Sequence, residues 1–528
     1  MNARPALRQN DYSPVSAPPL GAWSPALSVS VVIPARGGQD KLDLTLAALA
    51  AQTYPEHLME VLVVDDGSDP PIRLPEIRPF NTRLVRVRDG WGISNAVNTG
   101  AKAADGEIIQ RLDSDMVACK EHIEALARWH HVTDYLVTIG MKKFVDAPPV
   151  TPEQVFRAGH LGELFDLETA VASSTEATIA KTDGLRKSRN PYHVCTGPTF
   201  ALPREVFHAV GGLDPTVARG EDTEFSYRLA MHGVVFIPDM DAQAVHLGLP
   251  SQHRDRERAV RAVEPCLAHR IPLRRDLRKE PGRRWLVPYV EIVYDIAGAS
   301  EQQVRQAVSA ALDGKLQDVV VTLVGPWSRL AGGRHSLSDP DFEPRLLRDL
   351  FAHDERIRLI DEAAPSPAPI PFRYRGPVDV PLHRVTLERM IESVQKDLTG
   401  VLVVDLPGGR TARLERTSAL GRALLLTGGG AIVDGADGVT DLSGVDDVDK
   451  IIEVTHGVRH EPPDRFWPAP KQPGQPKQPA QAQRSGQAEQ PGQGGAAPSP
   501  APKAGAQAPS APPQKRLLRR IKSALRNT

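Results

Sequence analysis

The sequence predicts an α/β protein. A mostly parallel central sheet comes first, a second α/β region follows, and the tail cannot build a core. Three observations carry this reading. Uninterrupted β-branched runs alternate with amphipathic helical stretches from Val29 to Asp115, the pattern of a parallel sheet with right-handed crossovers. The same alternation starts again near Trp285. From about Pro463 the composition turns to proline, glutamine, glycine and alanine.

The elements follow in order. Residues 1–27 are polar and proline-rich and read as disordered. "SVSVVIP" is a buried strand stopped by Pro34. "DKLDLTLAALAAQ" is a helix with Leu42, Leu46, Leu49 and Ala50 on one face. "MEVLVVDDGSD" is a second buried strand ending in acids and glycine, and "RLVRVRD" a third. "ISNAVNTGAKAA" is a helix, and "GEIIQRLDSD" is a fourth strand. Ligands of such sheets bind at the carboxyl ends of strands, where both "VVDDGSD" and "RLDSD" put their acids.

An arginine-rich connector, 266–284, separates the first domain, 28–265, from the second, 285–462. In the second, "VPYVEIVYDI" and "DVVVTLVG" are strands around the helix "SEQQVRQAVSAALDG". "HRVTLERMIESVQKDLTGVLVVDLPGG" has the helix and strand pattern of "ISNAVNTGAKAADGEIIQRLDSD", with "DLP" where the first has "DSD". One reading is a tandem copy that has lost its acids; the other is an unrelated α/β domain. Residues 463–514 read as a flexible tether. Residues 515–528, "KRLLRRIKSALRNT", place Leu517, Leu518, Ile521, Ala524 and Leu525 on one helical stripe among six cations. Such a helix fits an anionic membrane surface; a solvated basic tail, or docking on the protein's own acidic surface, are the alternatives.

Bulk properties bound the function. Lysine plus arginine is 64 against 65 for aspartate plus glutamate, so nothing argues for nucleic acid. Three scattered cysteines exclude a disulfide framework or a cysteine zinc site and fit a reducing compartment. The N-terminus has no signal-peptide core, and no run approaches the roughly 18 apolar residues of a membrane span. The expectation is a cytoplasmic protein, soluble or peripheral on the inner face of a membrane.

The chemistry points to the acids. Asp113 and Asp115 stand one residue apart at a strand end and can face one site only where the chain turns. Together they offer hard oxygen ligands suited to Mg²⁺ or Mn²⁺ and phosphate. Short acidic triplets are also common in solvated loops, so context matters. Downstream, "GEDTEFSYRL" opens a helix with Glu221, Asp222 and Glu224 in its first turn, more acids than capping needs. His246 follows "AQAV" on a strand end and becomes a third ligand candidate if it lies near the pair.

"SVSVVIP", "QTYP", "EVLVVDDGSD", "NTGAKAADGEII", "DSD", "GEDTEFSYRL" and "VHLG" occur in the order found in family 2 glycosyltransferases of the GT-A fold, which this chain resembles over residues 27–250. The resemblance implies transfer of a sugar from a nucleotide diphosphate sugar, usually with inversion. It implies that Pro34, Asp65 and Asp66 contact the nucleoside. Asp113 and Asp115 hold ribose and metal, Mn²⁺ or Mg²⁺, with His246 completing the metal site. Asp222 is the general base, Glu221 orients acceptor or sugar, and Gly197 of "CTGPTF" lets backbone approach the donor. Two departures affect the donor rather than the acids. Ala35, Arg36 and Gly37 stand where the family usually has an aromatic residue and asparagine, and Val97 stands where it often has arginine. Arg36 is a candidate for the missing charge on the diphosphate. The expected partners are a nucleotide diphosphate sugar, a UDP-sugar first, and a cell-envelope glycan or lipid-linked acceptor.

Three other classes compete. A sugar nucleotidyltransferase needs a "GGxGTR" loop after strand one, and "PARGGQDKL" lacks most of it. A GxGxxG there, which a dinucleotide enzyme needs, is absent. A nucleotide-sugar-binding scaffold suits the acid-poor second region better than the first.

Overall fold

The computed structural model describes residues 4–146, 149–248, 256–280, 282–331, 337–427, 433–434, 440–441 and 447–468. Most of the tether, and the basic segment 515–528, lie outside the described residues. The described residues up to Trp467 form one compact unit holding two large sheets.

The first sheet contains β1 (Val29–Ala35), β2 (Met59–Asp65), β3 (Thr82–Arg86), β4 (Ile108–Leu112), β5 (Met116–Ala118), β6 (Leu136–Val145), β7 (Val171–Ala172), β8 (Thr199–Pro203) and β9 (Val235–Leu247). Its order is β3-β2-β1-β4-β8-β6-β9-β5, with β7 on β6. The first four positions are parallel. Beyond β4 the sheet becomes mixed, because β8 runs antiparallel to both β4 and β6, and β5 antiparallel to β9. The helices are α1 (Gln39–Ala50), α2 (Ile93–Ala103), α3 (His122–His130), α4 (Pro152–Arg157), α5 (Ser174–Lys181), α6 (Arg204–Ala209), α7 (Glu221–His232) and α8 (Arg256–Arg270).

Continuous apolar runs make β1 and β2 buried at every position, the signature of strands covered on both faces. β1 continues one residue past the expected stop at Pro34. Its pairing with β4 ends at Val32↔Arg111, while Pro34 still faces Val64 of β2, so the missing N–H falls on the side without a paired strand.

One sequence expectation is corrected here. Residues 4–27 are not disordered. Leu7 and Tyr12 are buried, and the Asn10 side chain donates to Leu185 O and Phe236 O and accepts from Phe236 N. The composition is that of a disordered segment, but a few side chains find places in an interface formed by the rest of the chain. The basic connector is likewise folded. Its first residues belong to α8, Leu267 and Ile271 are buried, and Arg275 and Arg278 both hold Asp318 at 2.7 and 2.9 Å.

The second sheet contains β10 (Val290–Asp295), β11 (Val319–Val324), β12 (Ile357–Ile360), β13 (Phe372–Arg375), β14 (Val401–Leu406) and β15 (Arg410–Arg416). A two-residue ribbon follows, β16 (Val433–Asp434) with β17 (Thr440–Asp441), and then β18 (Val458–Glu461). Its helices are α9 (Glu301–Leu312), α10 (Phe342–Phe351), α11 (Thr386–Asp397), α12 (Thr417–Leu426) and α13 (Val448–Thr455). The order is β12-β11-β10-β13-β15-β14-β18. Chain order and strand directions match β3-β2-β1-β4-β8-β6-β9 position by position. The matching register differs from the one read in the sequence. Asp405 is the second-last residue of β14, which occupies the place of β6; the strand in the place of β4 is β13, which ends at Arg375 and is followed by Gly376, without paired acids. Phe466 is also buried in the core of this sheet, so the packed chain runs past 463.

The two sheets meet at α7 and α12 with almost no side chain between them. A Cβ on Gly421 would lie 2.3 Å from Met231 O. Arg422, 2% exposed, donates from Nε to Gly233 O, and the Tyr227 hydroxyl donates to Pro369 O at 2.6 Å.

Candidate active site

The site forms where strand ends line up. β1 pairs with β2 through Ala35↔Asp65 and with β4 through Val32↔Arg111, which sets Arg36, Asp66 and Asp113 along one sheet edge. Asp65 is buried, and its Oδ1 accepts from Ser68 N at 2.9 Å; Ser68 Oγ in turn accepts from Gly37 N at 2.9 Å. Asp66 Oδ2 accepts from Gly92 N at 2.8 Å, just before α2. These acids therefore tie together the loops after β1, β2 and β3. Arg36 is exposed.

The turn expected at "DSD" is present. The chain leaves β4 at Leu112 and re-enters the sheet as β5, next to β9 instead of β8. Met116 pairs with His246, which brings the His246 Nε2 within 3.4 Å of Asp115 Oδ1. Lys41, from α1, stands 3.8 Å from Asp115 Oδ2 and donates to Leu247 O at 2.5 Å. Burial pushes the Asp115 carboxyl up, opposed by His246 and then reinforced by Asp113.

Asp113 turns the other way. Its Oδ1 accepts from Arg111 Nε at 3.1 Å, and Arg111 reaches on to Glu221 Oε1 at 3.8 Å. The Arg111 side chain is only 2% exposed, and its Nη1 lacks a hydrogen-bond partner. Burial works against its charge, but Asp113, Glu221 and Asp222 more than offset this and hold its pKa above the ordinary value. Arg111 thus links the strand-end acids to the start of α7.

Gly220, at φ 84°, caps α7 and places Glu221 and Asp222 in its first turn. Burial, reinforced by neighbouring Asp222, raises the Glu221 carboxyl above its ordinary range. Gly197, at φ 59°, lies against Asp222: a Cβ there would be 3.7 Å from Asp222 Oδ2. Glu224 faces elsewhere and makes two 2.7 Å hydrogen bonds with Arg228. Lys142 of β6 also lies near these acids, 9% exposed, and donates from Nζ to Thr196 O at 3.3 Å. Burial lowers its pKa, while Asp113 and Asp222 favour its charged form.

Asp113, Asp115, Glu221, Asp222, Gly197 and His246 thus belong to one neighbourhood. The expected metal trio is incomplete, because Asp115 and His246 face each other while Asp113 faces Arg111. Among the described residues, no three histidine, cysteine or acidic side chains gather as a ready metal site. The donor set still fits a hard divalent cation: one carboxylate and one imidazole 3.4 Å apart, with phosphate and water left to fill the shell. Sequence reasoning missed Lys41, Arg111 and Lys142. For the last, a signal existed: two lysines interrupt the apolar strand "LVTIGMKKFV".

The described residues include no helix long and apolar enough to cross a membrane. Residues 30–211 match the family model Glycosyl transferase family 2. Chondroitin synthase of Pasteurella multocida (strain Pm70) is 26% identical over 362 residues, 64% of this chain and 36% of that one. Validoxylamine A glucosyltransferase of Streptomyces hygroscopicus subsp. limoneus is 31% identical over 236 residues, 41% of this chain and 51% of that one. The chain therefore spans between a third and about half of the length of these relatives. A solved structure of GalNAc-T7 with UDP, GalNAc and Mn²⁺ superposes with a TM-score of 0.33 at 18% identity, covering 48% of this chain and 52% of that one, too loosely to build on. Residues 30–211, about a third of this chain, are thus similar to glycosyl transferase family 2.

Proposed function

We propose that the chain is an inverting, metal-dependent glycosyltransferase that moves a sugar from a nucleotide diphosphate sugar, a UDP-sugar first, to a hydroxyl of a glycan or lipid-linked glycan. One observation carries the reading: the "DSD" turn and the start of α7 face each other across buried Arg111. Inversion needs the acceptor hydroxyl to approach the anomeric carbon from the face opposite the leaving diphosphate. Asp222, beside Gly197 with its left-handed backbone, suits the general base that takes the hydroxyl proton. Glu221 suits orientation of acceptor or sugar, and its raised pKa lets it donate a hydrogen bond when protonated. Asp65, Asp66 and Pro34 border the nucleoside side, while Lys41 and Lys142 supply positive charge close to the acids.

Asp115 and His246 would hold a Mn²⁺ or Mg²⁺ ion, with Asp113 free to join by turning from Arg111. Such an ion supplies charge neutralisation for a diphosphate. The test is release of free nucleoside diphosphate when full-length protein is mixed with UDP- and GDP-sugars plus glycan acceptors in Mn²⁺. Sugar incorporation that stops in EDTA supports the proposal. Donor binding without release or transfer, across the panel, would favour the scaffold reading.

A further inference from the structure

A second cavity lies at the other end of α7, between the N-terminal segment, the first sheet and the second. Its volume is about 70 Å³. That is room for several waters, each needing roughly 10–15 Å³ on this scale. Gln9 and Asn10, Arg189 and Tyr192, Met231 and Gly233, and Arg416, Arg422 and His456 come to its wall from three parts of the chain.

The charge of this wall is one-sided. Among the described residues, three arginines and a histidine line it, and no carboxylate does. Asp276 and Asp397, on flanking segments, are held by Arg274 and Arg459 at 2.8 and 2.7 Å. Arg422 directs its donors to the carbonyls of Gly233, Leu7 and Gln9. Arg189 gives its two terminal nitrogens to Gln395 O and Lys396 O. These bonds satisfy donors but leave the charges without a counterion. Among the described residues, two buried donors on the wall have no hydrogen-bond partner: Arg416 Nε and the Tyr192 hydroxyl. Unpaired buried donors and charges are each costly, and proteins ordinarily pair them.

We propose that this cavity binds a small doubly charged inorganic oxyanion of the phosphate class, held by Arg416, Tyr192 and Arg189 against the charge of Arg422. Burial brings both the Arg416 and Arg422 guanidinium groups down to about 10, so both stay charged at neutral pH. A space of this volume suits a free ion better than an enclosed nucleoside. The ion would tie α12 and the N-terminal segment to the C-terminal end of α7. That helix is 12 residues long, so this end lies roughly 16–18 Å from Glu221 and Asp222, and the site is separate from the acid edge.

The test is thermal unfolding of the full chain in EDTA, with phosphate or sulfate titrated against chloride at matched ionic strength. Both doubly charged ions should raise Tm saturably and chloride should not. Arg416→Gln should weaken the apparent affinity at least tenfold. Arg189→Gln, an exposed rim change that should leave folding intact, should weaken it several-fold. Asp115→Asn should leave the shift as it is. Equal effects of chloride and phosphate would overturn the proposal. So would a shift that survives both arginine changes, or one lost in Asp115→Asn, which would place the ion at the acid edge. If Arg416→Gln fails to fold, the Arg189→Gln titration decides.

Discussion

Arg111→Met should be the most damaging single change at the acid edge. Its guanidinium is 2% exposed, and the partners it would leave behind, Asp113 and Glu221, are 22% and 12% exposed. Removing one member of a buried ion pair typically costs about 3–5 kcal/mol, because the other charge stays buried and unpaired. Here the two acids keep some access to water, so the lower end applies, about 3 kcal/mol. At about 1 °C per kcal/mol for a compact unit of this size, Tm should fall by roughly 3 °C. Methionine keeps most of the volume, so the loss reports charge and not a cavity. Urea unfolding at neutral pH measures it. A double-mutant cycle with Glu221→Gln then isolates the pair, and the cost of Arg111→Met should shrink by roughly 0.5–3 kcal/mol in that background. An unfolding free energy within about 0.5 kcal/mol of wild type would refute the claim that Arg111 holds the two acidic segments together.

Asp115→Asn should abolish transfer with little loss of stability, since the side chain sits in a turn at the sheet edge; wild-type rates at ordinary Mn²⁺ would remove Asp115 from the site. Glu221→Gln should change the pH dependence of stability. The folded carboxyl has a pKa above its ordinary 4.5, so its contribution is fully present below that value and is lost as pH rises through the raised one. The variant should therefore gain on wild type as pH climbs from about 4.5; a variant-minus-wild-type stability difference that stays constant or falls with pH, followed by unfolding at each pH, would contradict this. Gly421→Ala would ordinarily favour a helix by up to about 1 kcal/mol, but a Cβ 2.3 Å from Met231 O should turn that into a loss of roughly 1–3 kcal/mol; a stabilised variant would mean the sheets do not meet as described. Asp405→Ala should leave transfer unchanged, since Asp405 is exposed on β14; a loss as deep as that of Asp115→Asn would make the second sheet catalytic.

Residues 29–115 were legible because each element announces itself locally. Apolar runs end in acids or glycine, and helices show their stripes. The "DSD" turn followed from a stereochemical argument, and the position of Glu221 and Asp222 from the helix they open. What could not be read depends on distant partners. Residues 4–27 have no periodicity, yet Asn10 makes three hydrogen bonds to Leu185 and Phe236, more than 170 positions away. The antiparallel entry of β8 between β4 and β6 has no local signature either. The facing of Asp113 toward Arg111 and of Asp115 toward His246 is set by the hop from β4 to β5, which composition does not encode. The repeat was matched one unit out of register because helix-strand periodicity is much alike in every α/β unit. Only the order of hydrogen-bonded strands separates β13 from β14.

That corrected register explains why the second sheet lacks a counterpart to the acid edge. In the first sheet, three features cooperate. β4 ends in "DSD", the chain then forms β5, and β9 runs 13 residues, long enough to pair with both β6 and β5. The far half of β9 carries His246 to Asp115. In the second sheet all three are missing. β13 ends in "RGP", no strand intervenes before α11, and β18 is four residues long. Putting two aspartates after β13 would restore the letters but not the turn, the crossing strand or the histidine. The loss is architectural, and it leaves the second sheet with a different place in the molecule. Through Arg422 to Gly233 O and Pro369 O to the Tyr227 hydroxyl, it grips α7 from behind, and α7 is the helix whose first turn carries Glu221 and Asp222.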